Sequence, residues 1–259
     1  MEILFCPKTK SPKLIKNDEL YKRYSRVLIQ LMSLTMLYSI LQPRQFQYFD
    51  TTLPPDSVHH ALKDLISLPH IGNNLLAAML VYLVLSFGSD LMAVGINSIT
   101  GYETILLMND PLTLSTSPSD FWGRRWNMVI HNLLKRGVFQ PVKRFYGRTI
   151  ASLSTFIMSG LMHEYAWSII FYSRNSTDFY PKYGKNMIFF AWNGLVILLE
   201  RQIGHWHVFQ WIKCNLPRPM ITFLVIMTSI PISHLFSGDW IIGGYFQDFV
   251  IGVPMFVMM

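Results

Sequence analysis

The chain has 259 residues, a net charge of +7, and a composition that is 51% hydrophobic but only 14% charged. Soluble domains carry about a quarter charged residues, so the composition excludes an ordinary soluble globular protein. The Lys and Arg residues lie between apolar runs and do not form a groove with interleaved aromatics. This argues against nucleic acid as a partner and favours a membrane surface or an anionic cosubstrate. The two cysteines leave the redox compartment open.

The apolar runs predict an all-α fold, a polytopic helical integral membrane protein with about six transmembrane helices. No internal repeat or long linker divides them, so we expect a basic cytosolic segment, residues 1–26, followed by one membrane-embedded domain, residues 27–259. The predicted spans are 27–41, 71–99, 149–172, 187–199, 220–236 with a kink at Pro231, and 240–258.

Between the second and third spans the sequence predicts an amphipathic helix. The Ser-Pro pair at 117–118 reads as a helix start, because serine caps a helix and proline suits its first position. Apolar residues then recur at helical spacing over 126–134, which indicates a helix in the plane of the interface. We expect Gly137 and Pro141 to end it.

The basic residues predict an orientation. Seven Lys or Arg lie between residues 8 and 26, and seven more lie between 124 and 148. The positive-inside rule places both stretches in the cytosol, with two spans between them. One span later, residues 174–185 fall on the lumenal side, where Asn175-Ser176-Thr177 is a glycosylation acceptor pattern. No cleavable signal peptide is expected in residues 1–26.

Three ionisable residues lie inside predicted spans: Asp90, His163 and Glu164. A buried charge needs a partner or a water-lined face, so each is a candidate functional residue. Histidine is the side chain best suited to act as a base near neutral pH, and apolar surroundings favour the neutral form that a base requires. Read alone, His163 is equally well a histidine bonded to a neighbouring helix, and all three suit the polar pathway of a transporter.

Two motifs together, DFWGRRWN at 120–127 and SGLMHE at 159–164, resemble the wax synthase branch of the membrane-bound O-acyltransferases. The resemblance covers about residues 100–259. It implies a multi-helix membrane enzyme, usually of the endoplasmic reticulum, that moves an acyl group from the cosubstrate acyl-coenzyme A to the hydroxyl of a lipid alcohol, with no other cofactor. It also implies further hydrophobic helices before this region, so we expect the chain to be short at its amino terminus.

The resemblance assigns roles by position. It implies that His163 is the catalytic base and Asn127 its partner, which orients the acceptor or donates to the oxyanion. We expect Arg124, Arg125 and Trp126 to bind acyl-coenzyme A, the arginines through its phosphates. Read alone, Asn127 is a polar residue of a helix face and the arginines are interface anchors.

Two neighbours of these residues leave alternatives open. Trp122, like Trp126, reads as an interfacial anchor, with packing against an acyl chain as the alternative. Adjacent helical residues point about 100° apart, which argues against Glu164 orienting His163 and leaves a pair with a cation.

Two histidine patterns outside these motifs do not match a functional signature. The pair His59-His60 starts a sequence like the HHxxxDG signature of bacterial-type wax ester synthases, but Leu65 replaces its glycine. No zinc-protease motif follows His163, and His205 and His207 have only Cys214 near them, so we expect no metal site.

The predicted function is therefore transfer of a fatty acyl group from acyl-coenzyme A to a long-chain alcohol, which forms a wax ester. Two alternatives remain open. One is an acyl- or acetyltransferase that acts on another lipid hydroxyl, such as that of a diacylglycerol, sterol or terpenoid. The other is a non-enzymatic polytopic protein, either a lipid transporter or a degenerate scaffold.

Overall fold

A computed structural model describes residues 13–51, 62–172 and 182–248, and these residues form helices without a strand. The α-helices are α1 (Asn17–Leu41), α2 (Leu62–Leu65), α3 (Leu68–Thr100), α4 (Pro111–Leu114), α5 (Pro118–Asp120), α6 (Met128–Leu134), α7 (Gln140–Tyr172), α8 (Lys185–Ile203), α9 (His207–Asn215), α10 (Arg218–Met227), α11 (His234–Ile242) and α12 (Tyr245–Asp248). Wider π-helical turns, Phe121–Arg125 and Lys135–Phe139, lie on either side of α6. The all-α prediction is confirmed for this part of the chain.

Two of the described helices are long and apolar enough to cross a membrane: α1 with its following turn, Asn17–Arg44, and α3. Two bent pairs also qualify if each counts as one span, α8 with α9 and α10 with α11, which are bent by 99° and 60°. α7 has 33 residues, but its serines, His163 and Glu164 lower its mean hydropathy. The chain is an integral membrane protein, and the count of six spans stays a prediction.

Helix boundaries around the basic segments differ from the predicted ones. α1 begins at Asn17, well before residue 27, because two acidic residues stabilise its first turn. The amphipathic helix does not end at Gly137 or Pro141, since the chain continues through a π-helical turn into α7. Pro141 occupies the second position of α7, where its missing N–H costs no hydrogen bond. The break falls at Gly147, whose φ of 79° suits glycine.

The last two predicted spans are divided differently in the structure. The kink at Pro231 is confirmed, because this residue lies in a 3-10 turn between α10 and α11. The predicted break between 236 and 240 is wrong, since α11 runs across it and ends at Ile242, with Gly243 as the residue that follows. Residues 249–258 lie outside the described residues. The same holds for Cys6, the His59-His60 pair and the acceptor pattern at Asn175.

Sequence analysis missed α9, which begins at His207 where a loop was expected. None of its residues is buried, and Val208 and Trp211 are exposed. The bend of 99° after α8 turns α9 across the direction of that helix. An exposed amphipathic helix at this angle to a span is typical of one that lies in the membrane interface.

The helices pack in two pairs, α1 along α3 and α7 along α8, and α11 contacts both α3 and α8. One apolar cluster joins α1, α3 and α11. A second cluster centres on Phe189, Phe190 and Leu235 and receives Trp122 and Phe156 at its edge. This second cluster is the framework of the candidate site.

Two buried polar residues of α1, Gln30 and Arg23, form hydrogen bonds to α3 and to the segment that follows it. Gln30 Nε2 donates to Asp90 Oδ2 at 2.9 Å, and both residues are buried. Arg23 donates to the carbonyl and hydroxyl oxygens of Thr104, each at 3.1 Å. The expectation that Asp90 needs a partner is confirmed, and its partner serves helix packing.

Candidate active site

One buried carboxylate, Asp120, holds the turn that opens the first motif. The backbone N–H of Asp120 donates to Ser117 Oγ at 3.2 Å, which confirms the predicted helix start. The carboxylate accepts from Arg125 Nε at 2.7 Å and from the N–H of Thr116 at 3.1 Å. Burial favours the neutral acid, but the bonds from Arg125 and Thr116 outweigh it and hold the pKa of Asp120 below its usual value. A charged Asp120 therefore fixes the shape of this turn.

The two arginines predicted to bind phosphates both contact Asp120. Arg125 also donates to the carbonyl of Asn109 at 3.2 Å, so its guanidinium is engaged in holding the chain. Arg124 lies 3.4 Å from Asp120 Oδ1 with a side chain that is 77% exposed. Neither arginine lines the cavity that contains His163. Their contact with a phosphate stays a prediction, and Arg124 is the more accessible of the two.

Asn127 ends the motif in a left-handed backbone conformation with a φ of 42°, which asparagine adopts more readily than most residues. This conformation starts α6, where Asn127 Oδ1 accepts from the N–H of Ile130 at 3.2 Å. The N–H of Ile130 requires an acceptor, which assigns the bonded atom of the Asn127 amide as its oxygen. The NH₂ group of the same amide is then available as a donor to another partner. No other described residue bonds to that group. Asn127 is therefore a helix cap with a spare hydrogen-bond donor.

His163 lies on α7 with its ring held in a defined state. Its Nδ1 is 2.7 Å from the carbonyl oxygen of Ser159, one turn earlier. A carbonyl only accepts, so Nδ1 carries the proton and Nε2 keeps a lone pair. The ring stacks on Phe190 at 4.5 Å and meets Phe236 edge-on at 5.3 Å. His163 thus has the tautomer and the fixed ring of a general base.

Glu164 points away from this site and caps α8. Its Oε1 accepts from the backbone N–H groups of Gly184, Asn186 and Met187 at 3.0, 2.9 and 3.4 Å. These are N–H groups that the start of a helix leaves without a partner. Glu164 does not orient His163, as expected from the angle of about 100° between adjacent helical side chains. Sequence analysis left a cation as its partner, but the structure gives it three backbone N–H groups. Gly160 completes the contact, because a Cβ atom there would lie 2.7 Å from Met187 Cα.

A cavity of about 450 Å³ brings the two motifs together. Both Asn127 and His163 line it, although 36 positions separate them in the chain. Much of its wall is aromatic: Phe121, Trp122, Trp126, Phe156, Phe189, Phe190 and Phe236. Pockets of this size and character hold small ligands with apolar bodies. The arrangement offers a base and a hydrogen-bond donor inside an apolar chamber.

The two tryptophans of the first motif belong to this wall. Trp122 packs against Phe156 and Phe190, at 6.1 and 6.0 Å between ring centroids, and its Nε1 donates to Asn193 Oδ1 at 3.1 Å. Trp126 stacks on the ring of Phe121 at 5.4 Å. Their place in the cavity favours the alternative of acyl-chain packing over interfacial anchoring.

Sequence analysis missed His131, which also lines the cavity. It lies four residues after Asn127, and that spacing places two residues on one face of a helix. Burial and the neighbouring Lys135 lower the pKa of His131, so the neutral ring is favoured. The four-residue spacing was the signal available in the sequence.

Comparison with known proteins finds a family whose profile covers both motifs. Residues 106–192, which include Asn127 and His163, match the profile of a family described as "Membrane bound O-acyl transferase family". The chain is 32% identical over 144 residues to acyl-CoA–sterol O-acyltransferase 1 of Arabidopsis thaliana, 35% over 105 residues to the long-chain-alcohol O-fatty-acyltransferase of Simmondsia chinensis, and 27% over 154 residues to the probable long-chain-alcohol O-fatty-acyltransferase 1 of A. thaliana.

These alignments are partial on both sides. They cover 51%, 38% and 56% of this chain, in the same order. The chain spans only 39%, 30% and 40% of the length of those relatives. The family pattern is therefore established for the segment that carries both motifs.

The close approach of α7 and α8 can be tested with Gly160→Ala. The added Cβ meets the backbone of Met187, so we expect a loss of about 1–3 kcal/mol of stability and a lower melting temperature in detergent. Gly95→Ala in α3 is the matched control, because nothing lies within 4 Å of its Cβ and alanine favours a helix. Equal melting temperatures for the two variants would refute the contact.

Proposed function

We propose that this chain, whose residues 106–192 carry the pattern of the membrane bound O-acyl transferase family, transfers a fatty acyl group from acyl-coenzyme A to a long-chain alcohol and forms a wax ester. One observation carries the proposal. His163 and Asn127, from two separate motifs, line the same apolar cavity. This pairing of a base with a hydrogen-bond donor meets the needs of acyl transfer to a hydroxyl.

The proposed reaction begins at His163. Its unprotonated Nε2 takes the proton of the alcohol as the alcohol oxygen attacks the thioester carbonyl. The bond between Nδ1 and the Ser159 carbonyl keeps the ring in the required tautomer during this step. Transfer is direct, so no covalent enzyme intermediate forms.

Asn127 supports the tetrahedral intermediate in this mechanism. Its Oδ1 accepts from the helix start, so the NH₂ group donates to the oxyanion. The oxyanion then collapses, the carbon–sulfur bond breaks, and the thiolate takes the proton from the His163 imidazolium. The products are the ester and free coenzyme A, and His163 returns to its neutral form.

The aromatic wall suits the acyl chain. Trp122 and Phe156 face the cavity beside Phe189 and Phe190, and a long alkyl chain gains free energy by leaving water for such a surface. In this proposal Trp126, which also lines the cavity, contacts the carrier or the first methylene groups of the acyl chain. Arg124 and Arg125 stay proposed carrier-binding residues outside the cavity, where Arg124 is the more accessible of the two because its guanidinium is exposed.

A sterol hydroxyl is the second candidate acceptor. One relative of this chain is named an acyl-CoA–sterol O-acyltransferase, while others are named long-chain-alcohol O-fatty-acyltransferases. The proposed chemistry at His163 is the same for both acceptors, because each presents a neutral hydroxyl. The shape of the cavity would decide between them.

We also propose that the protein is a multi-pass protein of the endoplasmic reticulum with six spans. The orientation follows from the basic residues, with 124–148 in the cytosol beside the acyl-coenzyme A supply. Endoglycosidase should then shift the gel mobility of the protein through the acceptor pattern at Asn175. A cytosolic reagent that reaches a cysteine placed at 175 in sealed microsomes would contradict this orientation.

The activity is tested in microsomes from cells that lack neutral-lipid synthesis, with labelled acyl-coenzyme A and a mixture of long-chain alcohols and sterols. We expect labelled ester from the wild-type chain and a loss of about 10²–10⁴-fold in His163→Ala, because the base is removed. The double variant His59→Ala/His60→Ala should keep full activity. If expressed, folded wild type yields no ester, the transporter or scaffold alternative is favoured.

The role of Asn127 is tested by Asn127→Asp. Aspartate caps a helix and tolerates the left-handed conformation, so the fold is kept while the NH₂ donor is lost. We expect kcat to fall by about 10²–10³-fold, as when one oxyanion donor is removed. A kcat near the wild-type value, with unchanged melting temperature, would remove Asn127 from the mechanism.

A further inference from the structure

Among the described residues that line the cavity of His163, two side chains carry a full charge, and both are cations: Lys135 and Arg148. None of these described lining residues is a carboxylate. Lys135 and Arg148 are also exposed, whereas Asn127 and His163 are partly buried. A charged side chain that lines a cavity and is itself exposed lies at an opening of that cavity, because an ionised group avoids the apolar interior.

Two features of the chain place these cations there. Lys135 begins the π-helical turn after α6, and Arg148 directly follows the break in α7 at Gly147. Neither forms an ion pair with another residue of the described chain. The sequence also contains no acidic residue between Asp120 and Glu164, so no carboxylate of this segment neutralises them.

We propose that Lys135 and Arg148 form an anion subsite that binds the phosphates of coenzyme A at the opening of the cavity. Nothing in the first motif supplies these residues, and Arg124 and Arg125, which the sequence suggested, contact Asp120 and do not line the cavity. A guanidinium and an ammonium without acidic partners are suited to phosphate oxygens.

The subsite gives the cavity a direction. Phosphates held at Lys135 and Arg148 keep the charged carrier at the solvent side, and the pantetheine arm extends inward. The thioester then reaches the level of His163 and Asn127, and the acyl chain lies along the aromatic wall. An uncharged acceptor lipid forms no ion pair with the two cations, so the subsite recognises the acyl donor and not the acceptor.

The subsite rests on the proposed function but is tested by binding as well as turnover. In Lys135→Ala/Arg148→Ala we expect the KM for palmitoyl-coenzyme A to rise about tenfold or more, because charge-assisted contacts to phosphate are lost. We expect kcat to stay within about twofold, as for contacts made equally in ground and transition states. With S-palmitoyl-pantetheine, which lacks the phosphates, the double variant and the wild type should behave alike.

The matched control is Arg136→Ala/Lys143→Ala, which removes the same charge from the same segment at exposed residues that do not line the cavity. Equal rises in KM for both double variants would show a general surface potential and overturn the subsite. Lys135→Arg/Arg148→Lys keeps both charges and should keep the wild-type KM. A large loss there with normal folding would count against a simple charge role.

Binding of labelled coenzyme A to purified protein in nanodiscs without anionic lipid separates the two proposals. Binding that Lys135→Ala/Arg148→Ala abolishes, in a protein that makes no ester, supports the subsite and contradicts the transferase. If the double variant forms ester and its coenzyme A binding and KM are unchanged, the transferase is supported and the subsite is contradicted. If the double variant loses only the binding of anionic phospholipid vesicles, the cations hold a lipid headgroup and the subsite is wrong.

Discussion

The candidate site depends on the contact between Glu164 and the first turn of α8. The start of a helix leaves N–H groups without partners, and an apolar environment makes that costly. Glu164 accepts from three such groups, and its charge lies at the positive end of the helix dipole. Gly160 lets the two backbones approach. The contact fixes the axial position of α8 relative to α7, and in that position Phe190 stacks on the ring of His163.

α8 is also the element on which the first motif is built. Trp122 donates to Asn193 in the middle of α8, and near its end Glu200 accepts from the N–H and hydroxyl of Ser119 at 2.7 and 2.9 Å. The second motif binds the start of the helix, the first motif binds its middle through Trp122, and Ser119, just before the first motif, binds near its end. Asn127 and His163 therefore share a cavity because both of their segments use one helix as a template.

The sequence predicted two residues that share a cavity, whereas several helix boundaries around them were predicted wrongly. Side-chain chemistry and the family resemblance pointed to His163, the resemblance alone pointed to Asn127, and both residues line one cavity. Predicted helix boundaries were wrong where they rested on a single residue. Pro141 was expected to end a helix, but it lies in the first turn of α7, where its missing N–H breaks no hydrogen bond. The roles of Glu164 and Arg125 could not be predicted, because their partners, the start of α8 and Asp120, depend on tertiary packing. His131 was visible by its spacing from Asn127, but only the cavity gives that spacing meaning.

The buried carboxylates Asp90, Asp120 and Glu164 are compatible with an apolar core because each of them bonds to a donor. In the proposed reaction a carboxylate beside the thioester carbonyl would repel the oxyanion, and the acids Asp90, Asp120 and Glu164 each bond to another partner. Glu164 faces the start of α8, Asp120 faces Arg125, and Asp90 faces Gln30. In the proposed reaction the groups beside the reacting atoms are neutral, the imidazole of His163 and the amide of Asn127, so the tetrahedral intermediate carries one new pair of charges, the imidazolium and the oxyanion. These two attract each other, and little surrounding water is needed to stabilise them.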